Sequence, residues 1–295
     1  MRMSTMTSPV VLALLAAVGF GCAGIFIRRA LSYASPLAAA IISVAVTTVL
    51  VCLLAAATAP VSQMFTWRIM AFVAAGFLAP GLARLAMFTG IHRIGVARAM
   101  PVVSTTPGLA VLVAIAALGE RPSAWLLVGV ICIVGGGVLL TGGGKAEGAW
   151  RSRDLAFPLL AALGFALRDN IFRLGFRHYD DPTLAAAAAA LASLAVMGAV
   201  TFLQRRSGHI RIERAAFPFL AASGLAEACG YLTALRAFQG GDVSVVSPLV
   251  STYGLVALVL AALFLRDLER VSLRVVLAAA LIVSGVFVVM RSVSL

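Results

Sequence analysis

The chain has 295 residues, of which 62% are hydrophobic and only 12% charged, and its mean hydropathy is +1.07. That leaves too little polar surface for a water-soluble globular domain of this size. The formal charge of +12 would point to nucleic acid in a soluble protein, but here most Lys and Arg sit in short gaps between apolar runs, which reads as contact with lipid headgroups and excludes a nucleic-acid partner.

A helix needs about 20 apolar residues to cross ~30 Å of hydrocarbon. Ten runs meet that length: 9–29, 36–58, 67–90, 97–118, 124–141, 155–176, 183–203, 216–238, 243–265 and 273–290. The first follows a weak n-region holding only Arg2, and Val10–Ile27 is longer than the apolar core of a signal peptide, so it reads as a retained helix. The gaps carry turn and charge signals: Ser35-Pro36, Pro60, Gly119-Glu120-Arg121-Pro122, Asp181-Pro182, Gly240-Gly241-Asp242 and Arg266-Asp267. The longest gap, Gly142–Asp154, holds Gly142-Gly143-Gly144, Lys145, Arg151 and Arg153. It divides the chain into a first unit at 1–141, a linker at 142–154 and a second unit at 155–295. Alternating ten-residue segments, the mark of a membrane barrel, are absent. Trp67, Trp125 and Trp150 fall near run ends, as interface anchors do. Cys22, Cys52, Cys132 and Cys229 each lie inside an apolar run with no close pair, and His92, His178 and His209 have no metal-ligand spacing. No disulfide framework, metal site or cofactor is expected.

The two units repeat one another. Pro101-Val-Val-Ser104-Thr105 matches Pro248-Leu-Val-Ser251-Thr252, and Glu120-Arg121-Pro-Ser123 matches Glu269-Arg270-Val-Ser272. Ile133-Val134-Gly-Gly136 matches Ile282-Val283-Ser-Gly285, and Gly19-Phe20 matches Gly164-Phe165. The offset drifts only from 145 to 149 residues, so an ordered series of matches marks a duplication. Five crossings per unit make the second copy enter from the opposite side. The expected fold is therefore an all-α polytopic membrane protein, ten transmembrane helices as two inverted five-helix repeats around a central cavity. Charge bears on orientation: the odd-numbered gaps hold 14 Lys/Arg and the opposite side 7, which by the positive-inside rule puts both termini outside.

On these residues the chain resembles the ten-helix EamA-type branch of the drug/metabolite transporter superfamily over essentially its whole length. The resemblance rests on the five-plus-five duplication and on the segment from Ala97 through Pro101, Ser104-Thr105 and Pro107 to Gly119-Glu120-Arg121, then Gly129 and Gly136. Its weaker second copy is Pro248, Ser251-Thr252, Glu269-Arg270 and Gly285. It implies a transporter, not an enzyme, that exports amino acids, other small metabolites or drugs, or exchanges phosphorylated sugars. It also implies cytoplasmic termini, against the charge count. Small four-helix relatives carry an essential Glu in their first helix. Run one here has no acidic residue, so that proton-coupling site does not carry over.

Four charges lie well inside the runs: Arg84, Arg168, Asp169 and Glu227. A lone charge at mid-bilayer costs ~3 kcal/mol on insertion scales, so such groups converge on each other, on a ligand or on water. Glu227 lies near the midpoint of its run, with Tyr231 one turn beyond on the same face. By the offset of 147, Tyr231 corresponds to Arg84, and Phe88 is one turn from Arg84. Guanidinium forks hold a carboxylate and a carboxylate holds an ammonium, so the cluster suits a zwitterion. The candidate substrate-binding residues are Arg84, Phe88, Glu227, Tyr231, Arg168, Asp169, Ser251 and Thr252, with Glu227 also the candidate for proton coupling. The bland alternative is an ion-pair network tying the halves together. In particular, Asp169 and Arg173 are spaced to pair at i, i+4, and Arg168 is placed to snorkel if its run is shifted. Pro101 and Pro248 are the candidate helix breaks and hinges, each freeing a carbonyl one turn earlier, near Ala97 and Ser244. The neighbouring hydroxyls either donate to substrate or bond their own preceding turn.

These readings point to a secondary transporter of the bacterial inner membrane that exports small zwitterionic metabolites, amino acids first, by alternating access. The alternative within the same fold is a multidrug or anionic-metabolite transporter. Partners are the small-molecule substrate and the bilayer, with a monomer and a homodimer both compatible.

Overall fold

The computed structural model describes residues 3–60, 62, 66–141, 151–204, 212–264 and 273–294. Nearly all of them are helical. Ten helices are long and apolar enough to cross a membrane: α1 (Pro9–Ala30), α2 (Pro36–Thr58), α3 (Trp67–Ile94), α4 (Arg98–Leu118), α5 (Ala124–Thr141), α6 (Ser152–Gly175), α7 (Pro182–Leu203), α8 (Arg214–Gly240), α9 (Val243–Ala261) and α10 (Leu273–Val293). They fall on the ten apolar runs to within a few residues. Side chains such as Leu53, Leu112, Ile131 and Phe287 point outward, where lipid and not water satisfies them. Much of the predicted linker, with Lys145 and Trp150, and the segment carrying Arg266, Asp267, Glu269 and Arg270 lie outside the described residues, as do Arg205, Arg206, His209 and Arg211.

Ten crossings give the bundle two ends. The terminal face holds the start of α1, the end of α10 and the α2–α3, α4–α5, α6–α7 and α8–α9 corners. The linker face holds the α1–α2, α3–α4 and α7–α8 corners and the connection between the repeats.

The inverted duplication is visible in the packing. A Cβ built on Gly19 of α1 would lie 2.7 Å from Gly230 of α8. Shifting each residue to its copy in the other repeat gives Gly164 of α6 against Ala83 of α3, and there the built Cβ lies 2.9 Å from Ala83. The α5–α10 seam behaves the same way. A Cβ built on Gly129 would lie 2.9 Å from the Gly285 carbonyl, and one built on Gly136 would lie 2.9 Å from the Ala278 carbonyl; the offset of 149 residues carries the first pair onto the second. Small residues at these crossings let backbones touch, which is how helices associate when lipid removes the hydrophobic drive. In α7 the run Leu184–Ala190 is buried throughout, and a Cβ on Gly76 of α3 would overlap the Ala189 carbonyl.

Among the described residues, three spans are interrupted. In α3 the segment Phe77–Leu82 is a π-type turn with extended backbone at Ala79 (φ −150°, ψ 133°) and a cis Ala79–Pro80 bond. In α4 the helix breaks at Ser104-Thr105 between Val96–Val103 and Thr106–Val113. In α9 it breaks at Thr252, between Val243–Ser251 and Tyr253–Phe264. Both of the latter breaks fall after Pro101 and Pro248, not one turn before them. The hydroxyls explain the shift. Thr105 Oγ1 donates to the Val102 carbonyl at 2.6 Å, Ser251 Oγ to Pro248 at 2.6 Å and Thr252 Oγ1 to Leu249 at 2.7 Å. Each takes a carbonyl in its own last turn and tightens it.

Candidate functional site

Glu227 lies midway along α8, and its two carboxylate oxygens have separate partners. Arg84 Nη2 of α3 donates to Oε1 at 3.0 Å. Ser43 Oγ of α2 donates to Oε2 at 2.9 Å. Ser43 also lies 3.2 Å from Ser223 Oγ, which in turn donates to the Ala23 carbonyl of α1 at 3.1 Å. The Arg84 and Glu227 side chains keep 19% and 15% of their surface exposed, so they are shielded from lipid but not sealed.

The break in α3 positions Arg84. Ala83–Ile94 is the half-helix that follows the Phe77–Leu82 turn, so Arg84 stands in its first turn at mid-depth. By the repeat offset of 147 residues, Pro80 in that turn is the copy of Glu227 in α8. Pro80 and Glu227 both line one small cavity, with Val44, Thr47, Thr48, Ala190, Ser193 and Tyr231. Its volume is about 20 Å³, room for a single water. Equivalent places of the two inverted repeats thus carry an interrupted helix in one and a carboxylate in the other. Pro80-Gly81 was not singled out in the sequence reading, although a Pro-Gly pair inside an apolar run is a break signal. Ser43 was missed because a serine in a span carries no distinguishing pattern.

A second ion pair lies close by. Arg168 Nε and Nη2 donate to Asp169 Oδ1 at 3.0 and 2.7 Å, and Ser247 Oγ of α9 donates to Oδ2 at 2.6 Å. The Arg168 guanidinium sits over the rings of Phe165 and Phe172, 5.2 and 5.8 Å from their centroids. It therefore stays inside the bundle and does not snorkel. The i, i+4 pairing of Asp169 with Arg173 does not form either. Arg173 reaches the other way, to the Phe238 and Gln239 carbonyls at 3.3 and 2.9 Å and to Asp242 at 3.1 Å. The free carbonyls at the end of α8 attract a cation more strongly than a carboxylate already held by its neighbour.

Tyr231 joins the two pairs. It lies within electrostatic reach of Arg168, Glu227 and Asp169, and its hydroxyl is buried with no hydrogen-bond partner among the described residues. Buried hydroxyls are rarely left so, which makes Tyr231 the one donor in this cavity not already committed. Tyr253 is within reach of Arg168 and Arg84 and packs edge-on against Phe20 at 6.4 Å. Phe88 is half-buried one turn beyond Arg84 and does not line the small cavity. Ser251 and Thr252 spend their hydroxyl protons on the α9 backbone, as described, and so shape the kink. Asn170, also unforeseen, bridges α6 to α4 through the Ala110 carbonyl at 3.0 Å.

Towards the terminal face the same helices open into a vestibule of about 590 Å³, lined by Thr58, Arg68, Tyr179, Asp181 and Arg236 among others. Burial and the neighbouring Asp181 push the Tyr179 phenol up to about 12. A chain of ring contacts separates vestibule from site: Tyr179 to Phe72 at 5.7 Å, Phe72 to Phe172 at 6.1 Å and Phe172 to Tyr231 at 6.2 Å.

The family model described as the EamA-like transporter family matches this chain twice, at residues 7–142 and 154–291. Among solved structures, one crystal structure superposes with a TM-score of 0.79, covering 96% of this chain and 96% of its own at 16% identity. That likeness shows the fold. No curated protein matches the chain.

Proposed function

We propose that this chain, which belongs to the EamA-like transporter family, exports small zwitterionic metabolites, apolar and aromatic amino acids first, across a bacterial inner membrane by alternating access. Membership makes it a multi-pass transporter of the drug/metabolite type; the substrate and the mechanism are our reading. The observation that carries it is the Arg84–Glu227 pair at 3.0 Å, at mid-depth beside the uncommitted Tyr231 hydroxyl. A zwitterion can enter such a pair by exchange: its ammonium takes the Glu227 carboxylate and its carboxylate takes the Arg84 fork, so no charge is left alone in the bilayer. The Tyr231 ring and Val44, which line the cavity beside Glu227, offer an apolar side chain a surface. Glu227 is also the group we assign to proton coupling.

The anionic-metabolite reading is weaker on the same geometry. Each deep arginine already faces a carboxylate, Arg84 with Glu227 and Arg168 with Asp169. The centre therefore offers no surplus positive charge to a phosphate.

The test is efflux of labelled phenylalanine, leucine and a panel of other amino acids from proteoliposomes, with and without a pH gradient. We expect efflux of apolar or aromatic amino acids that is lost in Glu227→Gln. Wild-type protein that moves no amino acid would overturn the substrate assignment, and a pH gradient without effect would overturn coupling through Glu227.

A further inference from the structure

Glu120 lies far from the central charges, yet both of its oxygens are engaged across the repeat boundary. Gly119 ends α4 with a left-handed φ of +73°, a turn that favours glycine. The chain reverses there and carries Glu120 towards the second repeat. Oε1 accepts the Val243 N–H at 2.8 Å and Oε2 the Ser244 N–H at 2.9 Å. These are two of the orphan donors at the start of α9, and a carboxylate on them is a charge-assisted pair at the positive end of the helix.

The local capping residue does not do this work. Asp242 stands at the N-cap of Val243–Ser251 and makes no side-chain cap bond. It is turned to Arg173 at 3.1 Å instead. The cap of α9 is thus supplied by the other repeat. The same corner has a second clasp, since Arg177 Nη2 donates to the Leu118 carbonyl at 3.2 Å. One turn into α9, Ser247 holds Asp169 at 2.6 Å. The piece between the cap and the break at Thr252 is a single rod of nine residues. Its one end is fixed by Glu120 on the terminal face, and its middle is fixed on a central ion pair.

We propose that Glu120 is a positioning residue for transport. Its bond to the start of α9 is a cross-repeat latch that keeps the central site closed to the terminal face, and through Ser247 it sets the geometry of Asp169. Opening of the site to that face breaks the latch and withdraws Ser247. The inference rests on the transporter reading but on no particular substrate.

The test needs no substrate, so it stands or falls apart from the amino-acid assignment. In a full-length protein whose four native cysteines are replaced, Val44→Cys places a thiol in the cavity beside Glu227. A membrane-impermeant thiol reagent is then applied from each face of oriented proteoliposomes. With Glu120→Gln we expect labelling from the terminal face to rise about tenfold and labelling from the linker face to fall, the signature of a shifted two-state equilibrium. Arg177→Ala, which loses one bond at an exposed corner, should move both rates the same way by a smaller factor, and it decides the matter if Glu120→Gln fails to fold. Rates that rise together from both faces would mean general loosening, and unchanged rates would mean no latch; either overturns the proposal.

Discussion

Breaking an ion pair and removing it are different perturbations inside a bilayer. Arg84→Ala or Glu227→Gln alone strands the partner's charge or hydrogen-bonding capacity at mid-depth, which for buried pairs costs roughly 3–5 kcal/mol. Arg84→Met with Glu227→Gln strands no charge. We therefore expect each single variant to unfold at lower temperature in detergent and the double variant to recover most of the loss. Efflux should stay absent in all three; a double variant that transports would make the pair structural. Ser43→Ala is milder. It frees Glu227 Oε2 by deleting the bond at 2.9 Å, worth about 1.5–3 kcal/mol for a charged acceptor. Efflux should fall by about tenfold, with a drop in unfolding temperature smaller than that of either charge variant, which the same two measurements check. At this scale the sequence was partly legible. Charges deep in apolar runs announce themselves because each needs a partner, and the fold brings Arg84 to Glu227. It does not announce which partner wins: spacing favoured Asp169 with Arg173, whereas tertiary contacts gave Asp169 to Arg168 and Ser247 and sent Arg173 to the end of α8. Hydroxyls such as Ser43 and Ser247 were invisible, since their partners lie 184 and 78 residues away in the chain.

Helix existence followed from run length, because hydrocarbon demands that the backbone satisfy itself. Helix continuity did not. Pro101 and Pro248 were read as breaks, but the chain stays helical through both and yields at the Ser/Thr pairs that follow. The deepest interruption, at Phe77–Leu82, passed as part of a continuous run. Its place is set by packing as much as by Pro80. Just before it, Gly76 lies so close to α7 that a Cβ would overlap the Ala189 carbonyl, and the Gly76 carbonyl accepts Ser193 Oγ at 2.7 Å. Gly76→Val must push α3 and α7 apart. Overpacking of this kind costs typically 1–3 kcal/mol, and here it would also move Arg84, two turns on. The expected result is a lower unfolding temperature together with impaired efflux, measured on one preparation. Normal efflux at reduced stability would show that the α3 break is not anchored through α7.

Two inverted copies meeting face to face need some contacts that hold still while others change. The α5–α10 seam has the build of a fixed one. Its two crossings, Gly129 with Gly285 and Gly136 with Ala278, are exchanged by the repeat symmetry, so the seam looks the same to either copy and favours neither face. The duplication itself was legible, because matched motifs recur at a near-constant offset. Which matched helices touch was not, since α1 packs on α8 and α3 on α6 through single small residues that no periodicity marks. The seam's symmetry yields a prediction unlike those for the centre. Gly129→Ala and Gly285→Ala each place a methyl within 2.9 and 2.7 Å of the facing carbonyl, and each should lower the unfolding temperature by several degrees, on the scale of ~1 kcal/mol per 2–4 °C for a chain this long. Because both wedge the same contact, the double variant should lose less than the sum of the two. The labelling rates of a cysteine at Val44 from the two faces should stay at the wild-type ratio. A seam variant that shifted that ratio would place α5 and α10 among the moving parts, and the fixed contact between the repeats would then have to be sought at α2 and α7.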